Sequence, residues 1–338
     1  VSAARASKRL RLGLALGSGA ARGWAHIGVL SALVERGFKP EIVSGASIGA
    51  LVAAAYANGR LPALEEWVVR LTQRDVWRLV DTVFRGGGVM TGNRLMAAIA
   101  TQIGDPTIEE LPVAFGAVAT DLYTGEEVWL REGSMMTAIR ASSGLPGLFA
   151  PSWHQDRWLI DGGVVNPVPV SLCRALGADV VIAVDLSRPV TRAAMRATRG
   201  NAPARSVSVA GKTPVSAEGA AVLRSWSGLI DGLVESFRAR RGEPGLFEVM
   251  ASGIGIMQER ITRDRLAADP PDLVLKPDLA KLQLMDFHLA RESIETGRGS
   301  VAAAEAQLAR VAARLGAAAA RRASRKPAAN AGRGGKTR

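Results

Sequence analysis

The chain has 338 residues, 48% of them hydrophobic, with one cysteine, three histidines and a formal net charge of +12. A single cysteine, Cys173, excludes an internal disulfide framework and a cysteine-rich zinc site, points to a reducing compartment, and is expected as a buried apolar side chain. The positive charge is terminal: Arg5, Lys8, Arg9 and Arg11 near the start and seven basic residues from Arg321 to Arg338, with no acid among residues 1–12 or 316–338, carry all but one unit of it. The body between is close to neutral, so no basic groove for nucleic acid is implied, and the tails are solvated or rest on an anionic surface.

Residues 1–9 read as a basic tail. The "LGLALGSGAA" that follows has the outline of a secretory signal, but its apolar part is short and runs straight into a glycine loop that a helical pattern continues. We therefore read residues 11–16 as a first strand. No apolar run approaches the ~18 residues of a membrane helix. Further strands are expected at residues 41–45, 113–120, 126–131, 157–161, 180–186 and 272–275, with helices in "WAHIGVLSALVERG", "LPALEEWVVRLT", "NRLMAAIATQIG" and "PVSLCRALG". Such alternation predicts an α/β domain around a largely parallel sheet.

Residues 187–221, rich in Ala, Arg, Ser, Thr and Gly without a sustained period, read as a flexible insertion. It leads into "VLRSWSGLIDGLVESFRARR" at 222–241, where Leu223, Trp226, Ile230, Leu233 and Phe237 share one helical face and Arg238, Arg240 and Arg241 crowd the end. That face either packs on the core or meets a bilayer as a lid or peripheral contact. "SVAAAEAQLARVAARLGAAAARR" is an alanine-rich helix before a second basic tail.

Chemistry concentrates in three places. "EIVSGASIGALVAAAYANG" sets Ser47 between Gly45 and Gly49 where a strand turns into a helix. A nucleophile on such an elbow needs very small neighbours two positions either side, and the helix aims its positive end at the reaction centre. "LALGSGAARGWAHIGVL" is a strand ending in a glycine-rich loop whose N–H groups suit negative charge. A dinucleotide fingerprint is disfavoured, since Gly17, Gly19 and Gly23 are one residue off its spacing and no ribose-binding acid ends the next strand. The base is the third element. His26, His154 and His288 all lack a catalytic context, whereas Asp161 in "RWLIDGGVVNPVPV" ends an apolar strand before two glycines, where desolvation raises a carboxyl pKa. No carboxylate and histidine cluster has metal-ligand spacing, so neither metal nor other cofactor is expected.

Taken together, "LALGSGAARGWAHIGVL", "GASIGA", "AVATDLYTGEEVWL", "AIRASSGLPGLFAP", "LIDGGVVNPVPV" and "VLKPDLAKLQLMDFHLARESIETG" resemble the patatin-like phospholipases, in particular the bacterial branch related to neuropathy target esterase. The resemblance covers residues 10–186 closely and 245–300 more loosely. It implies a three-layer α/β/α fold with a central, mostly parallel sheet, its catalytic domain built from residues 10–186 and 246–300, with 187–245 inserted and 301–338 appended. It also implies a Ser-Asp dyad of Ser47 and Asp161, and an oxyanion hole around Ser18, Gly19 and Ala20 supported by Arg22. The substrates would be lipid or phospholipid esters. From the lone cysteine and the basic segments, a cytoplasmic protein with peripheral contact at the inner membrane surface is expected. Ser18 and Ala20 stand where the family commonly has glycine, so positive φ at either would cost on the order of 1 kcal/mol. A lipid transacylase with the same dyad and a non-catalytic scaffold are the alternatives.

Overall fold

The computed structural model describes residues 9–79, 81–85, 88–187, 246–282 and 285–323. The chain divides into two compact units, residues 1–187 with 260–338, and residues 188–259. Of the second unit, residues 246–259 are described, as the first part of a long helix. The basic residues of the two termini other than Arg9, Arg11, Arg321 and Arg322, and residues 188–245, which hold the expected flexible insertion beyond Ser187 and the amphipathic 222–241 segment, lie outside the described residues.

In chain order the elements are β1 (Leu12–Leu16), a 3-10 turn (Ala20–Trp24) running into α1 (Ala25–Glu35), β2 (Ile42–Ala46), α2 (Ile48–Ala57), α3 (Leu61–Arg70) and α4 (Gln73–Arg78). The hairpin β3 (Thr82–Arg85) and β4 (Gly88–Met90) precedes α5 (Asn93–Ile103), β5 (Ala114–Asp121), β6 (Glu127–Leu130) and α6 (Met135–Ser142). Then come β7 (Ser152–His154), β8 (Arg157–Asp161), α7 (Val170–Ala175), β9 (Val180–Val184), α8 (Leu246–Ala268), β10 (Leu273–Leu275), α9 (Ala290–Ala303) and α10 (Glu305–Ala323).

The main sheet has the order β10-β9-β1-β2-β5-β8-β7, with β6 on β5. From β10 to β5 neighbours are parallel, and β6, β7 and β8 add antiparallel pairs. Strands covered on both faces read as near-continuous apolar runs, and β1, β2 and β9 are buried throughout, the polar Ser44 of β2 being satisfied by donating to Pro169 O at 2.8 Å. Period-two alternation then feeds two cores. Leu12, Leu14, Leu16, Val43, Val180, Ile182 and Val184 enter the larger core with α1, α2 and α9, while Ala15, Ile42, Val181 and Ala183 face the opposite way onto Val170 and Cys173 of α7. A sheet between two helical layers is the three-layer α/β/α arrangement that the sequence resemblance leads one to expect.

β5 positions the chemistry. β6 occupies one of its edges from Ala117 to Thr120, so β2 and β8 share the other. On that edge Ala46, the last residue of β2, pairs with Val118, and Asp161, the last residue of β8, pairs with the next residue, Ala119. The two strands thus meet end to end. A residue following β2 and the carboxyl ending β8 are brought together by register alone.

Candidate active site

Ser47 is that following residue, at φ 56° and ψ −125°, a conformation ordinarily left to glycine. Holding it there costs about 1–3 kcal/mol, and the packing around it explains why it persists. A Cβ on Gly45 would lie 2.4 Å from the main chain of Ala50, and one on Gly49 would lie 2.3 Å from the carbonyl oxygen of Leu16 and 2.6 Å from that of Gly17. Only glycine lets α2 fold back this closely over β2 and β1. The Ser47 N–H donates to Oγ of Ser142, 2.9 Å away and fully buried at the end of α6. The first N–H groups of α2, beginning with Ile48, have no acceptor within their own helix and face the same end of the sheet.

Asp161 is buried, 1% exposed. Its N–H donates to Gly144 O at 3.0 Å, its carbonyl accepts from Thr120 Oγ1 at 2.8 Å, and Oδ1 accepts from the Gly163 N–H at 2.7 Å. Burial raises the carboxyl pKa from 3.8 to about 6, partly offset by hydrogen bonding from the Ser47 hydroxyl and from Gly163 N–H. Such an acid is ionised at neutral pH yet a far better proton acceptor than a solvated aspartate.

The glycine loop follows β1. Gly17 N–H donates to Val184 O at 3.0 Å and Ser18 N–H to Pro167 O at 2.8 Å. Ser18 therefore has no N–H left for a substrate, whereas those of Gly19 and Ala20 have no acceptor among the described residues. Ala20 takes positive φ, 48°, and Ser18 does not, so the strain expected of the loop falls on one residue, at about 1–2 kcal/mol. Arg22 is buried. Its N–H and Nε both donate to Gly19 O, at 3.2 and 3.4 Å, and its own carbonyl accepts from Ser293 Oγ of α9 at 3.0 Å.

Of the histidines, His154 on β7 and His288 in a 3-10 turn before α9 are partly exposed and take no part in these contacts. His26 is fully buried on α1, with Nε2 2.7 Å from Gly17 O. Ser142, Thr120 and Ser293 also brace the site and were invisible to motif reading, because each acts across a long sequence separation through a common residue type. The late segment carrying Ser293 was legible only through the family resemblance. Among the described residues no three His, Cys, Asp or Glu side chains converge as metal ligands would, and no helix is long and apolar enough to cross a membrane.

Comparison with known proteins gives the same grouping. The patatin-like phospholipase family model matches residues 14–174. An uncharacterised NTE family protein of Mycobacterium tuberculosis is 36% identical over 327 residues, spanning 87% of this chain and 91% of that protein. A patatin-like phospholipase domain-containing protein of Caenorhabditis elegans is 37% identical over 183 residues, 52% of this chain and 13% of its own length. A solved structure, VipD from Legionella pneumophila, aligns at TM-score 0.34 and 14% identity over 77% of this chain and 67% of that one, too weakly to bear on the fold. The chain belongs to the patatin-like phospholipase family, in its NTE branch.

Proposed function

We propose that this protein is a serine hydrolase of lipid carboxylic esters, of phospholipase A, lysophospholipase or esterase type, acting through a Ser47-Asp161 dyad. Family membership supports lipid hydrolysis in general. One observation carries the finer reading: the shared edge of β5 sets a strained serine against a buried carboxyl whose pKa is about 6.

Ser47 Oγ attacks the ester carbonyl while Asp161 takes its proton. The resulting oxyanion is held by the N–H groups of Gly19 and Ala20, with the positive end of α2 adding a favourable field. Collapse breaks the ester C–O bond, and Asp161 returns the proton to the departing alcohol. Water then attacks the acyl-Ser47 ester while Asp161 takes its proton; collapse breaks the bond between Ser47 Oγ and the acyl carbon, Asp161 returns the proton to Oγ, and the fatty acid leaves. Arg22 keeps the Gly19 carbonyl turned inward to the protein, which leaves the following N–H facing out.

The test is turnover of a p-nitrophenyl ester and of a lysophospholipid by wild type, Ser47→Ala and Asp161→Asn. We expect no turnover from the serine variant and a kcat lower by about 10²–10⁴-fold in the aspartate variant. Full turnover by Ser47→Ala would overturn the assignment. Product analysis with an added alcohol acceptor separates hydrolysis from acyl transfer.

A further inference from the structure

The glycine loop needs rigid support, because the two N–H groups assigned to the oxyanion belong to residues without long side chains of their own to anchor them. The Gly17–Ser18 peptide unit, immediately before them, is held at both ends. Its N–H donates to Pro167 O at 2.8 Å, and Pro167 lies in the same segment as Asp161. Its carbonyl oxygen lies 2.7 Å from Nε2 of His26. The same oxygen abuts the elbow, since a Cβ on Gly49 would come within 2.6 Å of it. One peptide plane therefore touches the loop, the base segment and the nucleophile elbow, and a single side chain orients it.

The protonation state of that side chain follows from its partners. A carbonyl oxygen accepts only, so a 2.7 Å contact requires the proton on Nε2. Nδ1 is buried with no partner among the described residues, which fits a bare lone pair better than a second N–H. Burial holds His26 well below its ordinary 6.5, at about 4, against the opposing pull of the Gly17 carbonyl, so the ring is neutral throughout the working range. A neutral imidazole fixed in one tautomer is a stiff, directional strut.

We propose that His26 is a positioning residue for ester cleavage: its Nε2–H, donated to Gly17 O, sets the peptide plane that aims the Gly19 and Ala20 N–H groups at the oxyanion. The inference rests on the dyad reading above. It also gives a role to a histidine that sequence reading weighed only as a base. Losing the strut leaves Ser47 and Asp161 in place but lets the loop rotate, so the cost falls on the transition state and not on substrate binding.

The experiment compares wild type, His26→Leu, which removes the donor at similar bulk, and His26→Gln, which keeps an N–H donor. Each is reacted with a fluorophosphonate probe, the adduct is located by mass spectrometry, and kcat and KM are measured on a soluble ester. We expect His26→Leu to be labelled at Ser47, and to turn over ester, about 10–100-fold more slowly, with KM nearly unchanged, and His26→Gln to recover most of the loss. A merely structural role would lower the melting temperature without splitting kcat from KM in the folded fraction. Nitrogen-15 NMR of the histidine-labelled wild type provides a check that does not depend on a variant folding: a neutral ring protonated on Nε2 is required, and an Nδ1–H ring overturns the proposal. Labelling and kcat at the wild-type level in folded His26→Leu would do so as well. Failure of the wild type itself to label at Ser47 would instead remove the dyad reading, and this inference with it.

Discussion

Replacing Asp161 by asparagine is expected to abolish most activity and yet stabilise the fold at neutral pH. Burial raises the carboxyl pKa from 3.8 to about 6. Each pKa unit corresponds to about 1.4 kcal/mol, so keeping this group ionised in the folded protein costs about 3 kcal/mol near neutral pH. Because the folded pKa lies above the unfolded one, the native state binds the proton more tightly. That contribution to stability is complete below about pH 4 and is lost as the pH rises through about 6. Asparagine is neutral at every pH, and its Oδ1 remains able to accept from Gly163 N–H, the bond that Asp161 makes at 2.7 Å. The variant should therefore unfold at higher urea concentration than wild type near neutral pH, by up to about 3 kcal/mol, with the gap closing toward about pH 4. Urea titrations of both proteins across that range, with unchanged m values, measure it directly. A variant less stable than wild type at neutral pH, or a gap independent of pH, would refute the raised pKa and the reasoning built on it.

The same carboxyl predicts that kcat/KM for a soluble ester falls about tenfold per pH unit below about 6, as the base is protonated, which a pH–rate profile checks. Gly45→Ala should lose about 1–3 kcal/mol or more by urea unfolding and most esterase activity, because its Cβ meets the Ala50 main chain at 2.4 Å and displaces the elbow. Ser142→Ala leaves the Ser47 N–H without its partner at 2.9 Å; stability should drop by about 1–3 kcal/mol, and kcat should fall while KM holds. Thermal melts alongside steady-state kinetics distinguish that outcome from simple unfolding.

Much of the sheet was legible because its strands are doubly covered. Residues 12–16 and 180–184 are apolar at nearly every position, and the expected runs at 11–16 and 180–186 match them within two residues. The sharp turns at Ser47 and Asp161 were legible for a different reason: glycines stand two positions either side of the first and directly after the second, a spacing that makes sense if the backbone turns sharply there. β7 was missed. Its hairpin to β8 turns through Gln155 and Asp156 at φ 46° and 59°, positions where glycine or asparagine would have announced the turn and neither occurs. The braces were illegible on principle. Ser142 meets Ser47 across 95 residues and Thr120 meets Asp161 across 41, and nothing local to a serine or threonine reveals a partner that the sheet register supplies. His26 was noticed only as a rejected base. Its position as the second residue of α1, just after the 3-10 turn, places it under the loop, and that proximity exists only once the loop folds back over its own helix.

The central claim is that Ser47 is the nucleophile and Asp161 its base. It is tested most directly by treating the purified protein with a fluorophosphonate ester and mapping the adduct by peptide mass spectrometry, with Asp161→Asn in parallel. The predicted result is a single adduct on Ser47 in the wild type, slowed by orders of magnitude in the aspartate variant although that variant is the more stable of the two. A folded wild-type protein that takes no label, or takes it on another residue, would contradict the claim.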